Sequence, residues 1–366
     1  MLNHISPFFL TDSIGRKPVY IGSSLLWTVF NIGCARAQNI ETLLVCRFFA
    51  GFFGCACLTN GGGSSVDIFE GLAVLRGTVV YSAIVFLGPV LGPIIGGAVA
   101  QYSPSTSLAD DGGFRWLFYA AVAAGLLVTA LHCVCMETHH NTRLRRRVAV
   151  LRKAHPDQPW TTMADSAGLI VARKVLATTS AAAKMLIEEP IIILISVWQT
   201  TIMAIIYLFF ESFAVIFGLG HGFDSFQVGL SFLGVGIGML LACLWGITGE
   251  PFFWMKRVKK SGGEWKPELR IPMGLAGACL TVVGLFWFGY TSYPSIHWIV
   301  PIIGSAVYGM GALSAMLATF SYIVDTYAMK AAPAFAAVGL IRSVVTGVLP
   351  LCGTQFYVSV AARDIG

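Results

Sequence analysis

The sequence predicts an all-α membrane protein, about nine spans arranged as two helical bundles. Three observations predict it. Of 366 residues, 56% are hydrophobic and 11% charged, with a mean hydropathy of +0.75. A soluble domain carries about 25% charged residues, so this chain could not cover a water-facing surface. Apolar runs of spanning length, about 20 residues, recur along the chain. The 24 Lys and Arg residues largely avoid those runs and gather on alternate connections.

Taken in order, the runs are 18–37, 42–66, 77–100, 114–136, 190–217, 226–248, 271–291, 296–324 and 334–358. The connections "AQNIE", "LGHGFDS" and "TSYPS" are short and poor in Lys and Arg. The opposite side holds Arg16, Lys17, Arg76, the Arg143–Lys184 and Lys256–Arg270 stretches and Lys330. The positive-inside rule makes that side cytoplasmic. The N-terminus is then cytoplasmic and the tail "AARDIG" lies outside. No signal peptide is legible at the start, so the first span acts as the insertion signal. Nine cysteines are scattered. The pairs Cys55/Cys57 and Cys133/Cys135 lack a second half at metal-ligand spacing and read as small buried hydrophobes. No metal or cofactor is expected.

The long connection 137–189 divides the chain. Residues 1–136 form a first partial bundle, 137–189 a cytoplasmic linker, and 190–366 a second partial bundle. The later part of the linker suits either a helix on the inner membrane surface or a cytosolic connector. Both readings stay open.

Ionisable residues inside spans cost about 2.5–3.5 kcal/mol on insertion scales, so each needs a reason. Arg47 leads a face of small residues, Gly51, Gly54, Leu58, Gly61 and Ser65. It can snorkel to the outer surface or point inward to a carboxylate. Glu211 lies about two turns from an outer end, on a stripe with Thr200, Ala204 and Tyr207. A carboxyl in an apolar setting can exchange protons near neutral pH, or simply be hydrogen-bonded in a packed interface. Asn60 lies deep in the second span, whereas Asp67 and Asp325 lie near cytoplasmic ends, where capping or loop pairing is the default. Arg342, two turns into the last span, can snorkel inward.

The run "FLGPVLGPIIGG", Phe86–Gly97, holds two prolines and four glycines inside a span. Lipid-embedded helices tolerate both. Gly88, Gly92 and Gly96 recur every four residues and share one face, while Pro89 and Pro93 kink the helix. The flat face needs a close partner, predicted to be the small face of Gly234 and Gly238 in the span 226–248, across the two-bundle boundary. No G-x-S-x-G, phosphate-binding loop or H-E-x-x-H is present, so enzyme and ATP-driven functions are not expected.

Five stretches make the chain resemble the major facilitator superfamily, and within it the fungal multidrug and polyamine:proton antiporters of twelve-helix type. "TDSIGRKPVY" is similar to the family's cytoplasmic loop pattern at Asp12, Gly15, Arg16 and Lys17. "CRFFAGFFG" resembles the next motif through Arg47 and Gly51, with Ala50 where a glutamine is usual. "GPVLGPIIGG" fits the antiporter pattern at Gly88, Gly92, Pro93, Gly96 and Gly97. "YLFFESFAVIF", with Glu211, and "YIVDTYA" look like second-half segments of fungal exporters. On this alignment the first two helices and the last are absent.

The resemblance implies a two-bundle fold that exports small organic or cationic compounds (drugs, polyamines) in exchange for protons by alternating access. Arg47 and Glu211 would serve proton coupling. Asn60, Tyr207, Phe210 and Trp287 would line the cargo cavity. Asp12, Gly15, Arg16 and Lys17 would pair with Arg76 as a cytoplasmic latch. The partners implied are the bilayer, cargo and protons, with no nucleic acid. A monomer in the plasma membrane rather than the vacuole is expected. Two alternatives remain: a proton symporter or facilitator of the same fold, and a truncated remnant that transports nothing.

Overall fold

A computed structural model describes residues 15–68, 72–102, 114–154, 171–260, 267–327 and 331–364. Among them, all regular structure is helical. The helices are α1 (Arg16–Ala35), α2 (Ile40–Ile68), α3 (Leu72–Tyr102), α4 (Phe114–Val134), α5 (His140–Ala154) and α6 (Val171–Glu188). There follow α7 (Pro190–Phe213), α8 (Ser225–Ser231), α9 (Leu233–Lys260), α10 (Ile271–Thr291), α11 (Ile299–Tyr327) and α12 (Ala331–Asp364). Among the described residues, seven stretches are long and apolar enough to cross a membrane. The two other expected spans, α2 and α12, are helical throughout. Parts of both lie outside the residues whose side chains are described.

The chain packs as two units. One comprises Met1–Thr78 with Pro104–Ala181, the other Val79–Ser103 with Ala182–Gly366. Most of α3 therefore packs with the second half of the chain, although it was expected in the first bundle.

In the first unit, α1 lies against both α2 and α4. Small residues let it approach. A Cβ on Gly54 would sit 2.8 Å from the Trp27 ring, and Gly125 of α4 meets Trp27 and Thr28. Several buried polar groups are satisfied locally: Thr28 donates to the Ser24 carbonyl, and Thr129 Oγ1 donates to the Gly125 carbonyl and lies 3.1 Å from Ser24 Oγ. Such bonds matter because water cannot substitute inside the bilayer. The Cys133 and Cys135 side chains are exposed at the end of α4, not buried as expected. Cys133 lies in the last turn of the helix and Cys135 just beyond its end at Val134.

In the second unit, α11 is held between α9 and α10. Residues 311–318 of α11 are buried without a break. Glycines again set the approach. Gly238 faces the Ala306 carbonyl, Gly284 the Tyr308 backbone, and Gly277 the Ala315 amide. The Tyr308 hydroxyl donates to the Ile202 carbonyl at 2.9 Å, tying α11 to α7. The phenylalanines Phe209, Phe213, Phe217, Phe232 and Phe288 form a continuous stack around them. Immediately beyond Phe213, residues Ala214–Gly220 widen into a π-helix. Such turns recur at functional sites.

Candidate functional site

At the start of α1, Gly15 takes φ 108°, a left-handed conformation that suits glycine. It turns the chain so that the first free N–H groups of the helix face one carboxylate. The Arg16 and Lys17 amides donate to Glu137 at 3.0 and 3.2 Å, and the His139 amide donates at 3.0 Å. Lys17 Nζ donates to the Cys133 carbonyl at 2.8 Å. A carboxylate at a helix N-terminus is favoured by both the free donors and the helix dipole. Burial pushes the Glu137 carboxyl up. The three backbone donors and the Arg146 charge outweigh that and hold it below the ordinary carboxylate range.

Gly15, Arg16 and Lys17, expected to contribute to a latch, are thus gathered on Glu137. Sequence reading passed over Glu137 as the first residue of a linker. Its only signal was an acid directly before a basic stretch. Asp12 lies outside the described residues, as do the side chains of Arg76 and Asn60.

Arg47 is exposed on α2, its guanidinium 5.1 Å over the Phe118 ring of the same unit. This is a cation–π contact rather than a carboxylate pair.

Glu211 lies in the second unit, near the end of α7. One of its carboxylate oxygens is buried without a hydrogen-bond partner among the described residues. One turn back, Tyr207 is 42% exposed, and its ring lies 5.9 Å from that of Phe210. Phe210 stacks on Phe232 at 5.2 Å. Together with Pro89, Val90, Ile206 and Phe209 these two rings line a narrow apolar gap between α3, α7 and α9. Trp287 does not line it and is 41% exposed. Helix α10 meets α11 through Gly277, Thr281, Gly284 and Phe288, and Trp287 stands a quarter turn off that face.

The antiporter-type run is one continuous helix, as expected, and its partner is the predicted span. The faces differ from those predicted. Gly88 and Gly92 are exposed, with nothing among the described residues within 4 Å of where a Cβ would stand. Gly96 is half-buried. Contact runs instead through Val90 against Gly236, Pro93 against Gly229, and Gly97 against the Ser225 carbonyl. Gly234 and Gly238 are turned to Ile302 and Ala306 of α11. The glycines of α9 alternate in use, because 234 and 238 share one helical face while 236 lies opposite.

Another pairing stands at the start of α10. Arg270 Nε donates to Asp325 Oδ2 at 2.6 Å with both side chains largely buried.

The model of the Major Facilitator Superfamily matches residues 9–350. The chain belongs to the major facilitator superfamily. This is a family of multi-pass membrane transporters, not enzymes. The chain is 37% identical over 358 residues to "Efflux pump atB" of Aspergillus terreus, covering 95% of this chain and 72% of that one. It is 32% identical to the "Probable drug/proton antiporter YHK8" of Saccharomyces cerevisiae, covering 99% and 70%. The fold is also that of the proton:xylose symporter XylE, with a TM-score of 0.64 at 16% identity, over 97% of this chain and 77% of that structure. That likeness shows the fold alone. The chain spans 57% to 72% of the length of the curated relatives it matches.

Proposed function

We propose that this member of the superfamily exports small organic compounds in exchange for protons, by alternating access, as a monomer in the plasma membrane. The observation that carries the proposal is the likeness to efflux pumps over at least 95% of the chain. The packing on both sides of α3 supports it. One face of the proline-and-glycine helix is seated on α8 and α9, while Gly88 and Gly92 stand open. A helix with one committed face and one smooth face suits a hinge in a rocking cycle.

In this reading Glu211 takes and releases the proton, since its buried, unpartnered oxygen leaves room for one. Arg47 modulates the relay from the first unit. Tyr207 and Phe210 supply the cargo surface, with Asn60 a further contributor. The Gly15–Lys17 turn on Glu137, with Asp12 and Arg76, forms the cytoplasmic latch. The test is flux in liposomes holding the purified chain under a proton gradient. Rhodamine 6G and carboxyfluorescein serve as cargo probes. Cargo-dependent proton movement that disappears in Glu211→Gln is expected. Wild-type protein that moves neither probe, and no protons in response to either, sinks the reading.

A further inference from the structure

Helix α7 carries two buried polar side chains that nothing described satisfies. Gln199 is 0% exposed, and neither its amide oxygen nor its amide nitrogen has a partner among the described residues. The next residue, Thr200, is 7% exposed, and its hydroxyl is likewise unpartnered. Buried polar groups in native proteins are nearly always bonded, to protein, water or ligand. Inside a membrane an unbonded amide is a functional signal before it is a structural one.

The helix packed alongside carries a cation, Arg342. Ile192 and Ile195 of α7 pack with Ala334, Ala337 and Val338 of α12. One turn further along both helices stand Gln199 and Arg342. Helical side chains lean toward the helix N-terminus, so Tyr207 tilts back toward this level. Its phenol lies within electrostatic reach of the Arg342 guanidinium. Arg342 stands eleven residues inside α12. Among the described residues no carboxylate pairs with it. Its own carbonyl accepts a bond from Thr346 Oγ1 at 2.7 Å.

We propose that Gln199, Thr200 and Arg342 form the recognition point for the carboxylate of an organic acid. An arginine fork matches a carboxylate with two parallel bonds. The amide of Gln199 and the hydroxyl of Thr200 add neutral donors beside it. The rings of Tyr207 and Phe210 offer an apolar wall for the body of the same molecule. The preferred cargo is therefore a carboxylate on a ring-sized apolar body. A polyamine, the cation class implied by family resemblance, meets an uncompensated positive charge here. This deepens the export reading, and it rests on that reading for transport but not for binding.

The test separates the two. Thermal unfolding of the purified full chain is followed with benzoate and with benzamide at fixed ionic strength. Benzoate raises the melting temperature and benzamide, its neutral isostere, does not. Arg342→Gln abolishes the benzoate shift, and Gln199→Leu weakens benzoate binding by about tenfold, the worth of one bond to a charged group. Arg342→Lys keeps the charge, loses the fork and retains weakened binding, which covers the case where Arg342→Gln does not fold. Equal shifts from both ligands, no shift from benzoate, or a benzoate shift that survives Arg342→Gln overturns the site. In liposomes, carboxyfluorescein moves and its flux falls in Arg342→Gln. Flux of rhodamine 6G alone overturns the cargo class while leaving export intact. A benzoate shift without any flux upholds the site and removes the export reading.

Discussion

Two sets of glycines in the second unit look alike in sequence and behave oppositely. On α3, Gly88 and Gly92 are four residues apart, and a Cβ added at either would find nothing within 4 Å among the described residues. On α9, Gly234 and Gly238 are also four residues apart and lie hard against Ile302 and Ala306 of α11. A small-residue stripe is therefore not in itself a packing surface. In lipid, a helix gains nothing from hiding apolar surface, so glycines serve either close approach or a smooth face. Only the neighbour decides which.

The largest effect comes where the neighbour is backbone. A side chain at Gly238 meets the Ala306 carbonyl and the Met310 amide, neither of which can swing aside. Gly238→Leu must separate α9 from α11. Overpacking a close interface costs about 1–3 kcal/mol, and an immovable partner puts this case at the upper end or beyond. Thermal unfolding of the purified variant should show a large drop or no folded protein. A melting temperature near wild type would show that the α9–α11 contact is loose.

Next is Gly15, where conformation and contact act together. A Cβ there lies 2.5 Å from Glu137 Oε2, and the backbone at φ 108° strains any other residue. Gly15→Ala is expected to cost about 1–2 kcal/mol for the backbone alone, with loss of the Glu137 seat in addition. The seat carries its own pH signature. Because the folded Glu137 carboxyl is held below its ordinary range, its contribution is present above the unfolded value, about 4.3. It is lost as pH falls through the lower folded value. Stability of the first unit should therefore fall on acidification below about pH 4, and Glu137→Gln should flatten that part of the profile. An unchanged acid limb in Glu137→Gln would mean other carboxylates set it.

The helices were legible and their contacts were not. Each expected span is helical because composition and length dictate it in a bilayer. The partner of the proline-and-glycine helix was legible for the same reason, as a span with small residues of its own. Which residues of that helix touch it was not. Both faces of a lipid-embedded helix are apolar, so periodicity does not separate inside from outside. The working contacts are Val90, Pro93 and Gly97, only the last two of which belong to the antiporter pattern. Glu137 escaped for a different reason. Its partners are backbone amides 120 and 121 residues away, and backbone donors leave no mark in a sequence. Gln199 was passed over beside the more conspicuous Glu211, though burial and orphaned atoms make it as unusual.

A smaller effect belongs to Gly236, between the two extremes. Its Cβ would lie 2.8 Å from Val90 Cγ1, the end of a short side chain rather than backbone. Val90 is buried and β-branched, so it can yield only by changing rotamer or shifting α3 slightly. Gly236→Ala should cost about 1 kcal/mol, and pairing it with Val90→Ala should restore most of the loss. A double variant no better than the single one would show that α3 and α9 are held apart by something other than this pair.

The smallest expected effect on folding is at Gly92, although the antiporter pattern would make it the most sensitive of all. With open space around it, Gly92→Leu has no neighbour to displace. Leu is also a better helix former than Gly, which trails Ala, the best, by about 0.8–1.0 kcal/mol, and this offsets minor strain. The melting temperature should stay within about 2 °C of wild type, as for a substitution away from packed features. Export is the more demanding readout. If Gly88 and Gly92 form the smooth face of a hinge, a leucine spoils that face without unfolding anything, and flux falls while stability holds. Loss of both together would return Gly92 to the class of Gly238, as a packing residue whose partner is present in the folded state. Stability and flux that both match wild type would remove the hinge role from this face and leave the antiporter pattern here as packing at Pro93 and Gly97 alone.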